Sequence, residues 1–203
     1  MLITRSGFKM FTEYDLDENL RNFLNNIRKE IESDRNILES DENEYKNNKI
    51  SKHKIEPLSI FPEEITLSQK EYPIPAEYFP AMFDIERGES YPKPVLTFHI
   101  PFKGDAQWLK CRPSTFLSWT TEVDVEDSSI IFEIINFDND VEKVKRDRDS
   151  FVKNLQTQIA NINQNISNYN KQLESFIEES IKNSKNKFKE QDDFLSKLGN
   201  PLK

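Results

Sequence analysis

Cysteine is almost missing from this chain, and its single thiol, Cys111, excludes an intrachain disulfide. With only His53 and His99 beside it, a Cys/His zinc cage cannot be assembled. Glycine is scarce too, with four in the chain. Gly7, Gly88, Gly104 and Gly199 stand too far apart for a phosphate-cradling loop, which excludes nucleotide binding by the common loops. Nowhere do eighteen apolar residues follow one another, and Met1 to Met10 holds no apolar run of signal-peptide length. No membrane span, metal or cofactor is therefore expected, and the composition suits a reducing cytoplasm. Residues 1–9 read as an optional leader, not expected to be ordered.

The net charge of −8 is uneven, with the acidic excess before Asp138. An acidic body argues against extended, nonspecific phosphate binding, which needs Lys and Arg along the contact. Nucleic acid is left only a local patch.

What the chain does have is a long amphipathic stripe. Val141, Val144, Phe151, Leu155, Ile159, Ile162, Ile166, Tyr169, Leu173 and Phe176 recur at three- and four-residue steps, and neither Pro nor Gly interrupts Asn139 to Leu198. At about 1.5 Å per residue, one helix here spans on the order of 80 Å. Asp138 or Asn139 is placed to cap it, and Gly199 with Pro201 gives an end signal. Phe151, Leu155 and Ile159 follow two four-residue steps, a local shift like a coiled-coil stutter.

Leu155, Ile159, Ile162, Ile166, Tyr169 and Leu173 are the candidate partner or oligomer interface. The alternative is that this stripe packs inside the monomer against a second amphipathic face, Leu16, Leu20, Phe23, Leu24, Ile27 and Ile31. Asn154 to Asn170 contains no charge and is about half Asn and Gln. That composition fits an interface core, where charge is depleted, or a solvated amide face.

Between these helices nine prolines from Pro57 to Pro113 remove donors too often for long helix. Strands are predicted over Ile65–Tyr72 and Val95–Phe102, with Phe102–Asp105 as a turn and Trp108–Cys111 returning as the hairpin partner. Val123–Val125 and Ile130–Phe137 are two more strands, the second central, joined by a turn over Asp124–Ser129. Asp41–Lys49 is a short helix or a solvated connection. The fold class is α+β: an N-terminal amphipathic helix, a small, mainly antiparallel sheet and a long C-terminal helix with coiled-coil character. By sequence the parts are 1–54 (leader and helix), 55–138 (Pro-rich β region) and 139–203 (long helix), one structural unit with a helical arm.

Candidate chemistry is sparse. Lys110 and Arg112 flank Cys111, a setting that favours thiolate, but a small packed strand residue is the simpler reading. Glu122, Asp124, Glu126 and Asp127 read as a solvated turn before a metal site. Glu44-Tyr45-Lys46 has the spacing of a nuclease metal motif but lies in a polar, helical context. No catalytic residue is assigned. Phe102, Gly104, Asp105, Trp108, Arg112 and Pro113 form a candidate ligand or partner loop, since Trp and Arg concentrate binding energy; the alternative is plain hairpin architecture.

The segments Pro101-Phe102-Lys103-Gly104-Asp105 and Cys111-Arg112-Pro113-Ser114, followed by the long helix and Leu198-Gly199-Asn200-Pro201-Leu202, carry a likeness. From Met10 onward the chain resembles the N-terminal region of a group of uncharacterised bacterial proteins whose C-terminal domain is of restriction-endonuclease type. The resemblance implies a noncatalytic module, either cut from a longer protein or encoded separately from its effector, which assembles with itself or that effector, in antiviral defence. The expected function is thus an assembly or regulatory scaffold. Its rivals are a nucleic-acid-binding accessory subunit, using Trp108 with Lys103, Lys110 and Arg112 or the Lys182, Lys185, Lys187 and Lys189 end, and an unrecognised hydrolase.

Overall fold

The computed structural model describes residues 7–198, with the Leu198 side chain outside the description. The end signal at Gly199 and Pro201 and the first six residues of the expected leader lie outside the described residues. The fold is α+β. Two compact units make it up, one of Met1–Asp15 with Leu58–Ile162, the other of Leu16–Pro57 with Asn163–Lys203. The division into three successive segments is corrected accordingly. The long helix is not an arm, since its first part belongs to the sheet unit and the remainder to the helical unit.

In chain order the elements are β1 (Phe8–Lys9), β2 (Tyr14–Asp15), α1 (Leu16–Ser33), α2 (Glu42–His53), β3 (Ser59–Ile60), β4 (Thr66–Pro75), β5 (Ser90–Lys103), β6 (Cys111–Arg112), β7 (Glu122–Glu126), β8 (Ser129–Ile135) and α3 (Val141–Leu198). In the sheet unit the strand order is β1-β7-β8-β5-β3, with β4 also on β5, and β2 pairs β6 in parallel. β8 is central, as its continuous apolar run predicts. The β7–β8 turn is tighter than expected, Asp127 and Ser128 taking φ of 47° and 61° in a two-residue connection.

Two expectations fail here. Phe8 and Lys9 pair with Val123 and Glu122, and Met10 is fully buried, so residues 8 and 9 are part of the sheet rather than a leader. The hairpin from Phe102 to Cys111 does not form. Asp105 accepts a hydrogen bond from the Gln107 N–H at 2.9 Å and caps a 3-10 turn over Ala106–Lys110, which redirects the chain. Both flanks of β5 are taken by longer partners, β4 and β8, and β6 pairs β2 instead.

Phe132 stacks on Phe151 of α3, with centroids 3.7 Å apart and planes at 5°, and on Phe98 of β5 at 5.0 Å. Trp119 meets Phe151 edge-on at 5.4 Å. This aromatic stack, with Leu109, Ile130 and Leu155 buried around it, is the core of the unit.

The helical unit is a hairpin of α1 and α2 docked on the later part of α3. Asp17 meets Asn165, Arg28 lies over the Phe176 ring at 5.0 Å and Arg35 pairs with Asp192, so α1 runs parallel to α3. Glu42 pairs with Lys185, Lys46 with Glu174 and Tyr169 with His53, so α2 runs antiparallel. Asp41 caps α2 through the Glu44 N–H at 2.9 Å, which makes the polar 41–49 stretch a helix. The cap of α3 is Asp140, accepting from the Lys143 N–H at 3.0 Å, rather than Asp138 or Asn139; Asn139 is in the left-handed region at φ 55°.

The stripe on α3 is internal. Leu155, Ile159, Ile162, Ile166, Tyr169 and Leu173 are all buried in the single chain, as are Leu16, Leu20, Ile27 and Ile31 of α1. The proposed interface is thereby corrected: these side chains are withdrawn from the surface. Val141 at 62% exposure and Phe176 do not belong to the buried row, which continues through Ile177, Ile181 and Phe188.

The amide-rich stretch has its own structural use. Gln158 is buried and takes both backbone groups of Leu117, accepting from its N–H at 3.3 Å and donating to its oxygen at 3.1 Å. Asn170 does the same to Ile55, at 3.0 and 2.8 Å. An amide matches a peptide group in donor and acceptor, so each side chain pairs with non-regular backbone as a strand neighbour would. Gln158→Ala should strand the Leu117 groups and cost about 1–3 kcal/mol of stability, read by denaturant unfolding; an unchanged midpoint would contradict this role.

Candidate functional site in the β4–β5 connection

The surface that stands out lies between β4 and β5. Residues Ala76–Tyr78 form a 3-10 turn, and the chain then loops to Ser90. The Ala76 N–H donates to the Glu89 oxygen at 2.9 Å and closes the loop at its base. Gly88 takes φ 85°, where an L side chain is strained.

Phe79 is the hub. Its ring lies 5.7 Å from Phe83, 5.7 Å from Tyr91 and 4.9 Å from Phe137, all edge-on. Lys93 reaches under the group, with Nζ 5.9 Å from the Phe79 centroid and 5.5 Å from Phe83, and donates to the Phe137 oxygen at 3.0 Å. The aromatic cluster thus ties the loop to Tyr91 of β5 and to Phe137.

The same loop walls a cavity of about 500 Å³, lined by Phe79, Pro80, Phe83 and Ile85, with Glu77 and Arg87 as its charged groups. Pockets that take ligand or side-chain anchors span on the order of 300–1,000 Å³ and are mostly apolar with a few polar groups. Tyr78 and Met82 are 48% and 83% exposed. An exposed Met beside an apolar pocket offers an adaptable contact surface.

The residues singled out from sequence are not gathered into such a surface. Phe102, Trp108 and Pro113 are buried, and Gly104 takes φ 109° at the turn. Asp105 serves the cap described above. Arg112 is exposed but pairs with Asp15 at 3.6 Å and lies over Phe116 at 5.6 Å. This segment is architecture of the unit rather than an open loop, a correction to the candidate partner loop.

Three of the candidate nucleic-acid lysines are also engaged. Lys110 pairs with Glu13 at 3.5 Å, Lys103 lies over Phe61 at 5.5 Å and Lys185 holds Glu42 at 2.7 Å. Lys182, Lys187 and Lys189 are exposed. Cys111 is buried, its thiol donating to the Gln107 oxygen at 3.6 Å. Among the described residues no group of three or more His, Cys, Asp and Glu is placed to hold a metal ion. No helix among them is long and apolar enough to cross a membrane.

His53 has a carboxylate partner, Glu30, at 3.1 Å, but Glu30 also receives Lys49 at 2.6 Å and Lys52 at 2.7 Å. The network ties α1 to α2. Hydrogen bonds from Lys49 and then Lys52 pull the Glu30 carboxyl from 4.5 to about 2, while burial lowers His53 against the pull of Glu30. Burial first, then the Asp34 carboxylate that accepts a hydrogen bond from its hydroxyl at 2.9 Å, pushes the Tyr45 phenol up.

A carboxyl lowered by folding contributes stability above its unfolded value and loses it as pH falls through the folded one. Wild-type stability should therefore drop more between pH 4.5 and about 2 than that of Glu30→Gln. Denaturant midpoints across that range check this, and parallel curves would contradict it.

The fold is α+β, with an apolar-walled cavity on the loop between β4 and β5. Comparison with protein families, with curated proteins and with solved structures found no match to this chain.

Sequence reasoning missed this site. Its signal was present as Tyr78, Phe79, Met82 and Phe83, four large apolar residues within six positions of a Pro-broken segment.

Proposed function

We propose that the protein is a noncatalytic recognition and assembly module whose sheet unit captures an apolar side chain of a protein partner in the β4–β5 loop cavity. The observation that carries it is the exposed pair Tyr78 and Met82 beside a cavity walled by Phe79, Pro80, Phe83 and Ile85. On the resemblance drawn from sequence, the partner is an effector protein, a nuclease of bacterial antiviral defence, and the compartment is the cytoplasm. Support for protein over nucleic acid comes from Lys103, Lys110, Arg112 and Lys185, each already engaged within the chain.

The test is selection of short displayed random peptides on the immobilised protein. Enriched sequences should share a large apolar residue, and Phe83→Ala should weaken their binding by about tenfold or more, about 1.4 kcal/mol. No enrichment over an unrelated immobilised protein would contradict the reading.

A further inference from the structure

The loop that walls the cavity follows directly on β4, a strand at a sheet edge whose hydrogen-bonding groups can be assigned. Pro73 stands opposite Pro92 in the β4–β5 register. Neither has an N–H, so this cannot be one of the hydrogen-bonded pairs of the ladder. Bonded and non-bonded pairs alternate in an antiparallel sheet. Leu67–Phe98, Gln69–Leu96 and Glu71–Pro94 are therefore non-bonded as well, and the backbone groups of Leu67, Gln69 and Glu71 point away from β5.

The far side of β5 gives the same parity. The Asn136 N–H donates to the Pro94 oxygen at 2.9 Å and the Phe102 N–H to the Ser128 oxygen at 2.9 Å, so even-numbered β5 residues bond toward β8. Pro101 accepts from the Phe61 N–H at 3.0 Å on the other side.

Among the described residues β4 pairs with no strand but β5. Its side chains from Thr66 to Glu71 are all exposed, Leu67 at 56%. Such an edge is a template for another strand. Leu67 also ends a cross-strand apolar row, Leu67–Phe98–Phe132, which an added apolar residue would extend. At the other end Pro73 and Pro75 supply no N–H, so a paired chain loses its ladder there, beside the loop. That loop is acidic: Glu77, Asp84, Glu86 and Glu89 are exposed with Arg87 as the only cation among them.

We propose that β4 takes an added strand, an extended basic peptide segment of the partner, which pairs with Leu67, Gln69 and Glu71 and seats one large apolar side chain against Phe83. This rests on the recognition reading above and supplies its ligand class. Main-chain bonds to the edge give affinity, and the apolar row, the cavity and the loop carboxylates give the sequence preference. A cation of the peptide near Glu71 and the loop carboxylates would offset their charge.

The probe is a peptide enriched from the displayed library. Enriched sequences should carry Lys or Arg around the apolar anchor. Bound, the peptide should slow amide exchange at Leu67, Gln69 and Glu71. Gln69→Pro removes one outward N–H, leaves the bonds to β5 in place and should weaken binding by about tenfold. Exchange on the unaltered chain decides the matter if that variant fails to fold. Binding lost in Phe83→Ala but unchanged in Gln69→Pro, with no slowing at the three amides, overturns strand addition and leaves pocket recognition standing. Acidic enriched sequences overturn the ligand class. A dimer of the free chain that Gln69→Pro returns to monomer assigns the edge to a second copy and overturns the peptide.

Discussion

Replacing Ile166 with Asp should unfold the helical unit at neutral pH, a loss of about 4 kcal/mol or more. Ile166 is 1% exposed and sits in the buried row of α3 with Tyr169 and Leu173. A carboxylate there gives up its hydration within a buried apolar row. Circular dichroism should lose much of the helical signal, because α1 and α2 are held on α3 by that row and by surface ion pairs worth little alone. A variant that stays fully helical and changes only its mass in solution would show instead that the row is an intermolecular surface.

Phe132→Ala should cost about 3–5 kcal/mol, the range for emptying an aromatic site in a packed core. Phe132 lies between Phe98 at 5.0 Å and Phe151 at 3.7 Å, so truncation removes contacts on both faces. Neither neighbour can readily fill the space: Phe98 is fixed in the register of β5 and Phe151 in the first part of α3. Thermal unfolding read by near-ultraviolet circular dichroism checks this through Trp119, edge-on to Phe151. A shift no larger than that of a surface substitution would contradict the stack as the core.

Much of the fold was legible because periodicity reports which face of an element is covered. Leu16, Leu20, Ile27 and Ile31 gave α1, and the run from Ile130 gave the central strand. Periodicity does not report what covers that face. The α3 stripe suits an interface or a core, and its burial follows from elements distant in sequence, the sheet unit for Leu155, Ile159 and Ile162 and the α1–α2 hairpin for Ile166, Tyr169 and Leu173. Strand pairing was lost for the same reason. The alternation through Phe98 and Ile100 identified β5, but its partners are β4, before it, and β8, after it, rather than the adjacent Trp108 segment.

The prolines exclude long helix but leave the length of the strands open. Pro73 and Pro92 both stand within strands. In the ladder they face each other at a non-bonded position, where no N–H is required, so β5 extends back to Ser90. The candidate site was hidden for a related reason. Tyr78, Phe79, Met82 and Phe83 have neither helical nor strand period, so only three-dimensional closure of the loop shows that Phe79 and Phe83 pack while Met82 stays out.

The most direct test of the β4 edge as the recognition surface is residue-resolved amide hydrogen exchange of the free protein. Leu67, Gln69 and Glu71 should exchange as open amides, while Ser68, Lys70 and Tyr72, which donate toward β5, should be protected, an alternation along one strand. Uniform protection from Thr66 to Tyr72 would mean the edge is already covered, and uniform fast exchange would mean β4 is not the strand described; either would contradict the account.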